Sequence, residues 1–323
     1  MATKKKKTPV KKINKPISPK LKKSKKKSKK KSSLKNIGFS TLIIIIIVIL
    51  LFFYLNGNKK GDIIEQIDQQ TSEQVEHKPL DQVVAESTQK LDGYSLQYYY
   101  PTANLKDGGI VENLAYSLDY NEDHEQADWV IYELTKEEVL TKEVPRKDNF
   151  IPDPSASITS AHPSDYYKSG YDRGHLCPAA DNRWSAQAME ESFYMSNMSP
   201  QHPDLNRKIW AELEKKVRDW AVENEKVYVV TGPILADGFK HKIGKNEVSV
   251  PNYYYKVVAD LTGDEIKGVG FIFSNGENNG ELKNFAFSIK TVEERTKIDF
   301  FHKLDKKIQA QIENDFDVKE WFK

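Results

Sequence analysis

The sequence predicts an α+β fold, a central antiparallel sheet with flanking helices, preceded by a single transmembrane helix. Three observations predict it. From about Leu91 the chain runs in short β-branched and aromatic stretches, one amphipathic helix interrupts them, and an uncharged apolar run occupies residues 39–55.

The elements are justified in chain order. Residues 1–38 form a Lys-rich tail: Met1 to Lys35 holds 17 Lys and no acidic residue. Of 49 Lys and Arg this leaves 32 to face 47 Asp and Glu, so the formal charge of +2 hides a basic tail and a body about 15 charges negative. A block of like charges repels itself and stays solvated. Residues 39–55 read as a helix about 26 Å long, enough to span a bilayer that thins slightly. A cleaved signal peptide would need small residues at its end, and Asn56-Gly57-Asn58-Lys59-Lys60 offers none, so the segment reads as an uncleaved signal anchor. The Lys excess before it places the N-terminus in the cytoplasm and the body outside, in periplasmic or extracellular space. Topology and anionic lipid attraction account for the Lys tail, with a nucleic-acid arm left as the alternative. Residues 56–90, rich in Gln, Glu, Asp and Ser, read as a flexible stalk.

Residues 91–323 form the remaining domain. Strands are predicted at Tyr94 to Tyr99, Trp129 to Leu134, Lys226 to Thr231, Tyr253 to Ala259 and Gly268 to Phe273. Between them, Asp204 to Val222 reads as a helix with Asp204 as N-cap and Leu205, Ile209, Leu213, Val217 and Trp220 on its apolar face. A pair of helices is expected between Thr291 and Lys323. With 16 Tyr, 14 Phe and 5 Trp the body can build a core without staples. One Cys, Cys177, excludes an intramolecular disulfide and any multi-thiolate metal site, and reads as a small packed hydrophobe.

The chemistry concentrates in Asp172-Arg173-Gly174-His175. An arginine, a glycine that admits close approach and an imidazole can supply phosphate contact and a proton acceptor in one site. Asn197, in Asn197-Met198-Ser199-Pro200-Gln201, follows. Asn206, Trp210, Glu214 and Arg218 then recur at i, i+4 spacing, a stripe apart from the apolar one. The other histidines form no short-range zinc signature; His202 is left as a candidate cleft residue.

Asp172 to Asp181, Phe193 to Gln201, and Leu205-Asn206 with Trp210, Leu213 and Glu214 together resemble the DNA/RNA non-specific endonuclease family, over about Tyr94 to Phe316. The resemblance implies a ββα-metal active site, in which His175 matches the general base and Asn206 the sole direct protein ligand of Mg²⁺, with Mn²⁺ as an alternative ion. Glu214 matches an acid orienting metal-bound water. Arg173 and Arg218 match residues that stabilise charge at the phosphate, Asn197 one that shapes the cleft, and Arg146 a further arginine at looser spacing. The expected activity is sugar-nonspecific cleavage of DNA and RNA leaving 5′-phosphate ends, with homodimerisation left open. The acidic body is an unusual feature for a binder of polyanions, and a locally basic cleft around Arg173, Arg183, Arg207 and Arg218 is expected to offset it. A binding-only reading would require loss of His175 or Asn206, and both are present.

Overall fold

The computed structural model describes residues 94–102, 109–155, 160–263, 265–314 and 316–323, all within the unit His77–Lys323. The basic tail, the apolar span and the stalk lie outside the described residues. Among the described residues no helix is long and apolar enough to cross a membrane.

The centre is a sheet of seven strands: β1 (Ile110–Glu112), β2 (Ser117–Asn121), β3 (Gln126–Thr135), β6 (Lys226–Pro233), β9 (Tyr253–Asp260), β10 (Lys267–Ser274) and β11 (Ala286–Phe287), in the spatial order β1-β2-β3-β6-β9-β10-β11. Every neighbouring pair is antiparallel. Because side chains alternate along a strand, each strand feeds two cores. Two short helices, α1 (Lys136–Leu140) and α2 (Ala186–Glu191), precede the long α3 (Ala211–Glu223). Val130, Tyr132, Val227, Val229, Tyr254, Val258, Val269 and Phe271 point to one core, where they meet Leu213, Val217 and Trp220 of α3. Trp129, Ile131, Tyr228, Val230, Tyr255 and Val257 point to the other, under α4 (Ile289–Thr296) and α5 (Lys306–Asn314). A sheet covered on both faces needs strands apolar at nearly every position, which explains why β6, β9 and β10 stand out in the sequence. Full burial of each large side chain contributes roughly 1.5–3 kcal/mol.

Four of the five expected strands lie within β3, β6, β9 and β10. The fifth does not form: Leu96–Tyr99 is a 3₁₀ turn. Its tyrosines serve packing instead of a ladder. Tyr98 stacks on Tyr94 at 4.0 Å and donates to the Lys303 carbonyl at 2.7 Å, while Tyr99 packs on Tyr228 at 4.3 Å. Aromatic enrichment signals a fit to a half-buried surface, and a turn lying on a sheet offers the same surface. Strands β1 and β2 were not foreseen. The expected pair of C-terminal helices is three: α4 starts earlier, at Ile289, and α6 (Val318–Trp321) follows α5. Two further ribbons stand apart from the sheet, β4 (Asp172–His175) with β5 (Met198–Gln201), and β7 (Phe239–Ile243) with β8 (Val248–Pro251).

Candidate active site

The site is built on the β4–β5 ribbon and the helix that follows it. Asp172 pairs with Gln201, Gly174 with Ser199 and His175 with Met198. Gly174 is required by space, since a Cβ there would collide with the Gln201 side chain. Alternation sends Arg173 and His175 to one face of the ribbon and Asp172 to the other. After β5 the chain turns through His202-Pro203 into a π-helical turn, Leu205–Trp210, continuous with α3.

His175 is 8% exposed, set edge-on to Phe193 at 4.9 Å between ring centroids and tilted to Phe150 at 5.7 Å. Its Nε2 has no hydrogen-bond partner. Burial pushes its pKa down to about 3, and the like charges of Arg146 and Arg173 act in the same sense. The imidazole is therefore neutral, with a nitrogen left for a ligand. Arg173 lies over Phe150 at 4.0 Å, and Arg146 over Phe193 at 5.2 Å. These two aromatic rings thus hold the imidazole and both guanidinium groups together.

Asn206 sits in the π turn, where its Nδ2 donates to Asp172 Oδ2 at 3.0 Å. Arg207 grips the same carboxylate through Nε at 2.8 Å and Nη2 at 2.6 Å. Although partial burial opposes it, these bonds from Arg207 and Asn206 hold the Asp172 carboxyl below its ordinary range. With the Asn206 amide nitrogen committed, its oxygen remains as the donor, a hard ligand suited to Mg²⁺.

On α3, Glu214 is half-buried, and burial pushes its carboxyl above its ordinary range. Arg218 donates to Asp181 Oδ1 at 2.7 Å, and Tyr132 donates to Asp181 Oδ2 at 3.3 Å. Arg146 acts electrostatically on both His175 and Glu214, which ties the ribbon's group to the helix's group.

The family profile described as DNA/RNA non-specific endonuclease matches residues 95–307. The chain belongs to the DNA/RNA non-specific endonuclease family. It is 35% identical to the mitochondrial nuclease EXOG of Danio rerio over 58% of this chain and 60% of that protein. It is 35% identical to mitochondrial endonuclease G of Homo sapiens over 55% and 65%, and 34% identical to a nuclease of Nostoc sp. over 67% and 82%. The match thus spans slightly under two thirds of the length of the two mitochondrial relatives. A crystal structure of an EndoG/EndoGI complex superposes with a TM-score of 0.60 at 30% identity, covering 68% of this chain and 94% of that one.

Within this endonuclease domain several expectations are corrected. Asn197, expected to shape the cleft, holds an interior position. It is fully buried, its Oδ1 accepting from the Cys177 N–H and its Nδ2 donating to the carbonyls of Cys177 and Ser192, each at 2.9 Å. It staples the loop after β4 to the segment before β5. Trp210 leaves the polar stripe for the core, 0% exposed, where it joins Leu213 and Val217, while the π turn re-aims Asn206. Asp204 caps nothing and pairs with Lys208 at 2.6 Å. The basic cleft is leaner than expected: Arg207 and Arg218 are neutralised by Asp172 and Asp181, and Arg183 donates to the Val144 carbonyl. Arg173 pairs with no carboxylate among the described residues. Cys177 is buried as expected, and burial pushes its thiol up.

Sequence reasoning missed Lys256. It is 0% exposed on β9, on the face that meets α3, with its ammonium 4.7 Å over the Trp210 ring and no hydrogen-bond partner. The signal was present as a lysine in mid-strand, flanked by Tyr253-Tyr254-Tyr255 and Val257-Val258. Asp181, quoted in the motif but given no role, is the partner that organises Arg218.

Proposed function

We propose that this chain is a membrane-anchored, metal-dependent endonuclease that hydrolyses phosphodiester bonds of DNA and RNA without regard to the sugar and leaves 5′-phosphate ends. The observation that carries the reading is a buried neutral imidazole, its Nε2 without a partner among the described residues, beside a guanidinium that has no carboxylate partner among them. A phosphodiester anion supplies the missing counter-charge at Arg173, while Arg146 is already paired with Asp148 at 2.7 Å. In doing so it offsets the part of the His175 depression that Arg173 adds to burial, so substrate binding itself makes the base stronger.

His175 then takes a proton from the attacking water, whose oxygen forms the new bond to phosphorus as the bond to the 3′ oxygen breaks. Arg173 faces the negative charge that grows on the phosphate oxygens. Glu214 orients water on the helix side. Arg218, held by Asp181, keeps positive charge near the same region, and Arg146 steers the phosphate from the aromatic side. Asn206 would hold Mg²⁺, or Mn²⁺, through its oxygen; when bound, the ion supplies charge stabilisation at the phosphate and the leaving oxygen.

The anchor at 39–55 would place the domain outside the cytoplasm, a reading supported by the Lys excess before it. The test is the full chain in detergent with supercoiled plasmid, single-stranded DNA and RNA, each with and without chelator. Cleavage of all three that chelator abolishes is expected, and chelator-resistant or absent cleavage overturns the reading.

A further inference from the structure

A lysine with no access to water and no hydrogen-bond partner is costly, because desolvation penalises the charged form. Lys256 meets that description: it sits in mid-sheet between Thr231 of β6 and Phe271 of β10, and its ammonium faces Trp210. Trp210 lies one turn before Glu214 on the helix, so the ammonium approaches the site from the core side. The charged groups around it are few. Asp181 comes from the turn Ala179–Asn182, Arg218 and Glu214 from α3, and the titratable Tyr132 from β3 and Cys177 from the loop after β4, while Arg146, itself paired with Asp148, also acts on Glu214.

Among these, Arg218 and Asp181 are bonded to each other, and Tyr132 completes Asp181. Glu214 accepts no hydrogen bond from any described residue and Lys256 donates none. The two remaining opposite charges are thus left to balance each other across the helix–sheet interface.

We propose that Lys256 is a positioning residue for the reaction: its enclosed ammonium is the fixed counter-charge that keeps the Glu214 carboxylate ionised and directed to the cleft. Consistent with this, burial drives Glu214 up and Lys256 down, and for each the other is the largest opposing influence. Trp210 contributes by holding the ammonium through its ring face, which fixes its place without competing as a hydrogen-bond acceptor. The inference rests on the catalytic reading of Glu214, but the coupling between the two side chains is measurable without turnover.

The kinetic test compares Lys256→Met with the parent and with Glu214→Gln. In Lys256→Met the acid limb of the kcat profile is expected to move up by about one pH unit or more, with kcat near neutrality reduced about tenfold and KM little changed. In the Glu214→Gln background the same substitution is expected to cost nothing further. An unmoved acid limb, or an equal loss in both backgrounds, overturns the proposal and leaves Lys256 a packing residue.

Should Lys256→Met fail to fold, ¹³Cε-lysine spectra of the full-length parent and of the near-isosteric Glu214→Gln variant give the answer. The Lys256 titration is expected to shift to lower pH when the Glu214 charge is removed, and an unshifted titration overturns the proposal. A parent that shows the coupling but cleaves nothing would refute the nuclease reading of Glu214 while leaving the pair itself standing.

Discussion

The two sides of the cleft treat arginine in opposite ways. On the ribbon side Arg173 rests on Phe150 and no carboxylate among the described residues neutralises it; on the helix side Arg218 is bonded to Asp181, whose side chain is 2% exposed. The first charge is available to a ligand, the second is already used by the fold. The difference teaches that counting basic residues near a motif overstates the charge a polyanion meets, since a guanidinium held by a buried acid contributes mainly to architecture.

Mutations should separate the two sides, and the largest effect tests neither arginine but the base between them. His175→Ala should lower plasmid cleavage by about 10³–10⁴-fold with an unchanged circular dichroism spectrum; retained turnover would remove the base assignment. Arg218→Ala strips Asp181 of its partner and should destabilise the fold by about 3–5 kcal/mol in urea denaturation. Arg173→Ala orphans no carboxylate, so it should cost activity about 10²-fold but only about 0.5–1 kcal/mol of stability. Equal destabilisation by the two arginine variants would erase the contrast.

Acid sharpens the comparison further. The folded-state pKa of His175 is depressed to about 3, against an unfolded value near 6.5. The unfolded chain therefore binds a proton below pH 6.5 that the folded chain refuses. Its contribution is fully present above that pH and lost as pH falls towards 3, about 2 kcal/mol by pH 5. Unfolding free energies from urea denaturation at pH 7 and 5 should differ less in His175→Ala than in the parent by this amount. Salt gives the smallest effect. With only Arg173 and Arg183 free of carboxylates among the cleft arginines, a log–log slope near −2 follows, about a tenfold fall in DNA affinity between 50 and 200 mM salt. A slope several times steeper would mean that the paired arginines also meet phosphate.

Much of this was legible in the sequence because two-sided burial writes long apolar strands and because the helix carries a clean period of Leu213, Val217 and Trp220. The motif Asp172-Arg173-Gly174-His175 likewise pointed to one ribbon, and the coordinates bring it to Asn206 through Asp172. What stayed hidden depends on phase and partners. The i, i+4 spacing put Trp210 beside Glu214 on a polar stripe, but Trp210 also stands three residues before Leu213 and seven before Val217 and joins them in the core, while the π turn before it re-aims Asn206. Asn197 was assigned by resemblance alone, and no sequence pattern says that its amide is spent on the backbone of Cys177 and Ser192. Lys256 passed unnoticed because a charge inside an apolar strand reads as noise until the carboxylate facing it is known.

The widened turn at Leu205–Trp210 has an evolutionary and engineering corollary. Excising one amino acid there would restore an ordinary α-helix, and because the wider turn absorbs its extra residue locally the helix beyond it would keep roughly its rotation against the sheet. The side chains carried inside the turn, the carboxamide of Asn206 among them, would be re-aimed, while Leu213, Val217 and Trp220 stayed seated. A single inserted residue thus acts as a clutch between a loop that meets solvent and a helix that grips the sheet, letting the aim of one ligand change without repacking the core.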